Sequence, residues 1–309
     1  MTNQTMQAAR IHDYGGAEQI KIGQVERPTP QAGQVLVRLK AAGVNPADWK
    51  YRSGMFKQYV PLLFPWIPGI EGAGVIEAVG PDVKSLKVGQ RVFGPINNSY
   101  AEYAVVPETE LVPAPEGLSF EQLAAVPIGA LTAWQAVIEE AEIKAGQTVL
   151  IHGGAGGVGA YALQLAHWKG AHVIATASAA NADFVRSLGA ETVIDYQKTK
   201  FEDVVKDVDA VIDTVGGDLV ERSMRVIKPG GIFVTVAARV DPEVGDAHNI
   251  RATSSRRADA EKLKQIAELL ASKQLVPVVG KTFPLSQARE AQELSQTGHG
   301  RGRIILVTG

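Results

Sequence analysis

Cysteine is absent from all 309 residues. Its absence excludes disulfides, thiolate nucleophiles and every thiolate-ligated metal site. Histidine is scarce and scattered, with six in the chain. An excess of either charge is missing as well, with 31 Lys and Arg against 33 Asp and Glu. The net charge of −2 gives no reason to expect a nucleic acid or an anionic membrane as partner. No apolar run approaches the roughly 18 residues of a membrane span. The opening MTNQTMQAAR lacks the apolar stretch of a secretory signal, and Met1 to Thr5 are polar enough to be a loose tail. The chain shows no internal repeat and no low-complexity segment. These absences fit a cytoplasmic protein, which is the expectation taken forward.

The apolar fraction of 45% is ordinary for a chain with a real core, and the length suggests about two domains. One stretch organises the rest: Thr148 to Gly159, TVLIHGGAGGVG. A short β-branched apolar run leads into glycines. Beyond them Val158, Ala162, Leu165 and Ala166 recur at helical spacing. Strand, glycine turn and helix follow one another, and Gly154, Gly156 and Gly159 fall on G-x-G-x-x-G. The first glycine is expected to allow a tight turn, the second close approach of a pyrophosphate, the third close packing of helix on strand. Free N–H groups at the helix start, in Ala155, Gly156, Gly157 and Val158, suit an anion. The alternative is a glycine-rich turn with no ligand.

Strand and helix signals then alternate. His172 to Ser178, Thr192 to Tyr196, Asp209 to Val215 and Ile232 to Ala238 are strand-like. Asn181 to Leu188, Phe201 to Val208 and Asp218 to Ile227 are helical between them. The strands are apolar nearly throughout, as expected when both faces are covered. The fold class is therefore α/β, with a doubly wound parallel sheet of Rossmann type. Ile232 to Ala238 is taken as its outer strand, and Arg239 to Ser254 as a polar irregular stretch, either a lid or a plain surface loop.

Before the glycine motif, short strands alternate with turns, which suggests a β-barrel-like domain. Gln34 to Ala42 alternates clearly. Asn45-Pro-Ala-Asp opens a short helix with Asn45 as N-cap, Pro46 in the first helical position and Asp48 near the positive end, and Gly54 stops it. Met55 to Pro68 carries three prolines and is apolar and aromatic. It is a loop that either lines a substrate pocket or covers the core. Ser119-Phe-Glu-Gln is a capping box, and Gly129 to Ile138 resumes a helix that carries Thr132. After the βα series, Arg257 to Ser272 is an amphipathic helix. Val276 to Phe283 and Arg303 to Thr308 are strands with no place in that series, so they are expected to return to the first domain. The Rossmann domain, 124–265, is then inserted into a barrel-type domain made of 1–123 and 266–309.

In Ala42-Gly-Val-Asn-Pro-Ala-Asp, Arg52-Ser-Gly, Pro68-Gly-Ile-Glu-Gly-Ala-Gly-Val, Val88-Gly-Gln-Arg-Val, Ala124 to Trp134, Gly153 to Gly159, Asp213-Thr-Val-Gly-Gly and Gly298-His-Gly-Arg-Gly-Arg, the chain resembles the zinc-free quinone oxidoreductase and enone reductase branch of the medium-chain dehydrogenase/reductase superfamily, from about Gln7 to Thr308. The resemblance implies a GroES-like domain carrying the inserted Rossmann domain. Zinc enzymes of that superfamily have a cysteine near Asn45 and a histidine before the glutamate, where this chain reads Gly69-Ile70-Glu71. Catalytic zinc wants three protein ligands, and no metal is expected. What remains is hydride transfer to an electrophilic acceptor, a quinone or a conjugated enone.

The resemblance also implies site residues. The nicotinamide is expected between the domains, beside Thr132, with Val236, Ala237 and Ala238 at its carboxamide. Thr132 has the alternative of bonding its own helix. The second Rossmann strand ends in Thr176-Ala-Ser178, with no acid before Asp183. NAD enzymes place an acid there, so NADPH is expected, with Ser178 and Tyr196 at the 2′-phosphate and adenosine. The basic position of relatives is Asn181 here, with Arg186 as either a substitute or a surface charge. Tyr196 and Lys200 also spell the Y-x-x-x-K of short-chain dehydrogenases, but too soon after the glycines. On the other domain, Asn45 matches a position facing nicotinamide or substrate. Lys50 stands where many quinone reductases carry Tyr and enone reductases often carry Lys. It either polarises a substrate carbonyl or is a solvated lysine. Tyr51 is a candidate for proton delivery. A homodimer is expected through the outer Rossmann strand. The competing functions are an enoyl-thioester reductase and a non-catalytic NADPH-binding sensor or structural protein.

Overall fold

The computed structural model describes residues 4–255 and 257–308. The chain folds into two compact units. One comprises Met1–Ile128, Leu263–Ala271 and Pro277–Gly309, the other Gly129–Lys262 and Ser272–Val276.

The first unit opens with β1 (Thr5–Arg10) and β2 (Lys21–Glu26), an antiparallel pair. Next come β3 (Gln34–Val44), α1 (Pro46–Arg52), β4 (Glu71–Val79), β5 (Arg91–Pro95), β6 (Tyr103–Pro107), β7 (Val112–Pro113) and α2 (Phe120–Ala124). The long β3 is the hinge of this sheet. One edge pairs with β4 along most of its length, while the other is shared, Gln34 to Arg38 pairing with β6. The capping box of α2 forms as expected: Ser119 Oγ accepts from Gln122 N at 3.2 Å, and Gln122 Oε1 accepts from Ser119 N at 2.9 Å.

Helix α3 (Pro127–Trp134) carries the chain from the first unit into the second, where β8 (Thr148–His152), α4 (Gly159–Trp168), β9 (His172–Ala177), α5 (Ala182–Ser187), β10 (Thr192–Asp195), α6 (Phe201–Val204), β11 (Val208–Asp213), α7 (Leu219–Met224), β12 (Ile227–Thr235) and β13 (Arg251–Ser254) follow. The six strands run in the order β10-β9-β8-β11-β12-β13, all parallel. This is the doubly wound order, whose direction reverses at β8. From Gly159 to Ala166 every residue of α4 is buried, more than the single apolar face expected. Its alanines let it be covered on all sides.

Two sequence expectations are corrected here. Ile232 to Ala238 is not the outer strand. Arg251–Ser254 pairs with β12 over Ile232 to Thr235 and forms the edge. The stretch Arg239 to Ser254 is accordingly not irregular. It holds a 3-10 turn over Pro242–His248 and then β13. Its polar composition hid the strand because a short edge strand needs little apolar surface. Lys228-Pro-Gly-Gly, a turn by composition, lies inside β12, where the register with β11 shifts between Val208 and Ala210.

The chain then returns to the first unit through α8 (Leu263–Ala271), β14 (Val279–Pro284), α9 (Ala288–Gln296) and β15 (Arg303–Val307). Strand β15 pairs antiparallel with Ala41 to Val44 of β3 and parallel with β14. The two late strands therefore extend the sheet built on β3. No helix among the described residues is long and apolar enough to cross a membrane.

Candidate active site

The glycine turn between β8 and α4 is built by contacts that only glycine permits. Gly153 has φ +70°, so the left-handed residue is one position earlier than the sequence pattern suggests. Gly154 is instead a packing position, where an added Cβ would meet Ala175 Cβ and Leu163 Cδ1 at 3.1 Å. At Gly159 a Cβ would lie 2.2 Å from the Gly153 carbonyl oxygen, so the start of α4 rests directly on the turn. Helix α3 closes on the same turn, since a Cβ at Gly129 would fall 2.5 Å from the Gly157 carbonyl. Thr132, half-buried, lies on this helix. Glycine at 153, 154 and 159 thus keeps the turn tight against its neighbours and its backbone bare, and the residues present fit a dinucleotide.

His152, the last residue of β8, is fully buried. Its Nδ1 lies 3.1 Å from Thr176 Oγ1 and its Nε2 3.0 Å from Ser223 Oγ, and the Phe201 ring packs edge-to-face with it, ring centres 4.5 Å apart. Burial pulls the imidazole down to about 4, against the charge of Asp213, which pulls it up. The neutral form is therefore the folded form. A His whose pKa is lowered on folding contributes stability that is complete above its unfolded value of 6.5 and is lost as pH falls through 4. Replacing it with Gln removes this acid sensitivity. Relative to the parent, the unfolding free energy of His152→Gln should gain roughly 3 kcal/mol between pH 7 and pH 4, as read by urea unfolding. A constant difference would contradict the assignment.

Ser178 follows β9 half-buried, and its Oγ accepts from Asn181 Nδ2 at 3.2 Å. Tyr196, just after β10, is exposed. Arg186 pairs with the exposed Asp183 at 2.9 Å, which favours its reading as a surface charge. Beyond β12, Val236 and Ala238 are half-buried and Ala237 is exposed.

In the first unit, antiparallel register gathers a buried polar cluster. Ile304 faces Val44 and Gly72 faces Ala42, so Arg303 comes beside Asn45 and Glu71 beside Gly43. A Cβ at Gly43 would lie 2.3 Å from Glu71 Oε1; its absence lets the carboxylate through. Asn45 Nδ2 donates to Glu71 Oε1 at 2.7 Å, and Arg303 Nη2 donates to Asn45 Oδ1 at 2.7 Å and to Glu71 Oε1. Glu71 Oε2 accepts from Ile128 N at 2.7 Å. Asp48 Oδ2 accepts from Asn45 N and from Tyr100 OH. Burial pushes Asp48 up to about 6, opposed by these hydrogen bonds and by the charge of Arg303. Burial likewise raises Tyr100, and the Asp48 charge raises it further.

Asn45, expected to face substrate or cofactor, is thus 2% exposed, with both side-chain polar atoms engaged. Lys50 is different. It is half-buried on α1, its ammonium lies 5.6 Å from the centre of the Trp49 ring, and no carboxylate pairs with it among the described residues. Tyr51 packs edge-on against Phe56 at 5.4 Å and Trp66 at 6.3 Å. The loop after α1 is divided. Leu62, Phe64, Trp66 and Ile67 cover the core, while Met55, Tyr59, Val60 and Leu63 are exposed. Glu71, Arg303, Asp213 and Thr235 were not among the site residues drawn from sequence. Three of them are charges placed at the end of an apolar strand, which is the signal that marks them.

Residues 31–116 match the family model of the alcohol dehydrogenase GroES-like domain, and 188–306 that of zinc-binding dehydrogenase. The chain is 36% identical to 2-methylene-furan-3-one reductase of Solanum lycopersicum, over 97% of this chain and 79% of that one. It is 33% identical to quinone oxidoreductase of Mus musculus, over 98% of both. The chain belongs to the quinone oxidoreductase and enone reductase branch of the medium-chain dehydrogenase/reductase superfamily. Another member, NADPH-dependent alkenal/one oxidoreductase of Arabidopsis thaliana, is 35% identical over 97% of this chain and 79% of its own. Among solved structures, the quinone oxidoreductase of Coxiella burnetii superposes with a TM-score of 0.90 at 34% identity, covering 99% of this chain and 100% of that one. A mycobacterial relative complexed with NADPH gives 0.89 at 28%, covering 98% and 100%. The zinc that one family description names does not fit the residues here. Thiolates are absent, the Glu71 carboxylate is taken by Arg303, and no group of three or more His, Asp or Glu is placed to hold a metal among the described residues.

Proposed function

We propose that the protein is an NADPH-dependent reductase of quinones or α,β-unsaturated carbonyls that works without a metal. The observation that supports this reading is a tight glycine turn between β8 and α4, in a chain whose donor set does not suit zinc. The glycine turn, through the N–H groups of Ala155, Gly157 and Val158, would hold the pyrophosphate at the start of α4, while the Gly156 N–H is donated to the Gly153 carbonyl at 2.9 Å. Ser178 and Tyr196 would hold the adenosine 2′-phosphate, and Thr132 with Val236, Ala237 and Ala238 the nicotinamide. When bound, the reduced nicotinamide supplies the hydride.

The chain's own work is polarisation and proton supply. Lys50 presents a cation that no carboxylate neutralises among the described residues, and it donates to the substrate carbonyl oxygen as that oxygen gains charge. Tyr51, the next residue of α1, is the candidate for proton delivery. Asn45 serves as a support, since its amide is committed to Glu71 and Arg303. The reading is tested by NADPH consumption matched by formation of a reduced quinone or saturated ketone. An absence of turnover with every acceptor contradicts it.

The preference for NADPH rests on Ser178 in place of an acid. Ser178→Asp brings a carboxylate that repels the 2′-phosphate and accepts from a ribose hydroxyl. It should erase or reverse the preference, measured as the ratio of NADPH to NADH dissociation constants. Equal binding of both cofactors by the parent protein would contradict the assignment. We also place the protein in the cytoplasm as a homodimer. The Rossmann sheet ends on β13, whose outer backbone groups are unpaired in the sheet. Light scattering at micromolar concentration should give twice the chain mass of 32.9 kDa; a monomer would refute it.

A further inference from the structure

Asp213 ends β11 and is fully buried. Register places it between His152 of β8 and Thr235 of β12. Its Oδ1 accepts from Val215 N at 2.9 Å and from Gly216 N at 3.0 Å, and its Oδ2 accepts from the Thr235 hydroxyl at 2.8 Å. A hydroxyl has one proton and two lone pairs. With the proton given to Asp213, Thr235 Oγ1 is an acceptor toward the loop beyond it, and it takes Ala237 N at 3.2 Å and Ala238 N at 3.3 Å. One carboxylate and one hydroxyl thus fix the loops that follow two adjacent strands. The loops also touch: Gly216 has φ +80°, and a Cβ there would meet Ala237 Cβ at 3.3 Å.

In a planar trans peptide the C=O points opposite to the N–H. Turning the N–H groups of Ala237 and Ala238 inward therefore turns the carbonyls of Val236 and Ala237 outward, and no hydrogen bond occupies either oxygen among the described residues. We propose that Asp213 and Thr235 are positioning residues that preset these two carbonyls as acceptors for the amide protons of the cofactor's carboxamide, leaving the phosphate end of the cradle to the glycine turn. This rests on the cofactor reading above and adds which buried groups set the nicotinamide end. Asp213 dictates the direction of the Thr235 proton, so the loop geometry depends on a residue that never meets the cofactor.

The test separates the two ends of the ligand. Binding of NADPH and of 2′-phospho-ADP-ribose, which lacks the nicotinamide, is measured by calorimetry for the parent, Thr235→Val and Thr235→Ser. Valine keeps the shape and removes the hydroxyl, while serine restores it. Thr235→Val should weaken NADPH about tenfold, the scale of losing hydrogen bonds in a buried network, with the fragment unchanged within about twofold. Thr235→Ser should bind both like the parent. Fragment binding also reports that the variant is folded, and Thr235→Ala gives the same contrast should the valine variant be insoluble. Equal weakening of both ligands, an unchanged NADPH affinity, or failure of serine to rescue would overturn the proposal. A parent that binds the fragment but not NADPH, or neither, would overturn the cofactor reading as well.

Discussion

Lys50→Ala should lower kcat for enones by about 10²-fold or more, the usual scale for removing a donor aimed at a developing oxyanion. The effect follows from where the charge sits. A lysine neutralised by a carboxylate would have little to give a neutral carbonyl. Lys50 instead has an aromatic face for company, with Trp49 5.6 Å away, and no carboxylate partner among the described residues. Half-burial beside Trp49 keeps part of the solvent away and strengthens its pull on a nearby oxygen. Cofactor affinity should change little, because Lys50 is in the first unit and the glycine turn is in the second. Quinones should suffer less, being electrophilic enough to accept hydride with less assistance. Measured kcat for one enone and one quinone in both proteins decides the matter. An unchanged enone kcat returns Lys50 to the role of a solvated surface lysine and leaves Tyr51 and water to supply the proton.

Arg303→Met should destabilise the fold by about 3–5 kcal/mol, the range for removing one partner of a buried ion pair. Glu71 is 0% exposed and Arg303 4%, so the carboxylate left behind has no water to turn to. Asn45 Nδ2 and Ile128 N still donate to it, but they do not neutralise it. The double variant Glu71→Gln with Arg303→Met removes the stranded charge and should recover much of the loss. Replacing a buried pair by neutral groups is often nearly free, while breaking one is costly. Urea unfolding of the single and double variants reads the difference. A loss below about 1 kcal/mol, as for a surface pair, would contradict the buried pairing of Arg303 with Glu71.

Much of this was legible in the sequence because the signals were local. The strand, glycine turn and helix of Thr148 to Trp168 are contiguous, and Ser119-Phe-Glu-Gln announces its own capping box. The return of the last strand to the first sheet could be inferred because Arg303 to Val307 had no place in the βα series. The buried cluster was less legible. Asn45, Glu71 and Arg303 are brought together by antiparallel register across three strands, and nothing in their local sequence states that Asn45 spends its amide on the other two. The edge strand Arg251–Ser254 was hidden for another reason. Its hydrogen bonds come from the backbone, and four residues with one buried alanine leave no apolar pattern to read. The left-handed residue of the glycine turn fell on Gly153 rather than Gly154 because two adjacent glycines are interchangeable by type and differ only in what surrounds them.

The most direct test of the central claim is NADPH oxidation by the purified protein, followed at 1:1 stoichiometry against a small panel of a quinone, a conjugated enone, a saturated ketone and a crotonyl thioester, with chelator present throughout. Turnover is expected with the quinone or the enone, none with the saturated ketone, and no loss in chelator. Turnover of the saturated ketone that disappears in chelator would contradict it. So would thioester reduction without quinone or enone reduction, or NADPH binding with no acceptor turned over, the behaviour of the thioester reductase and of the sensor respectively.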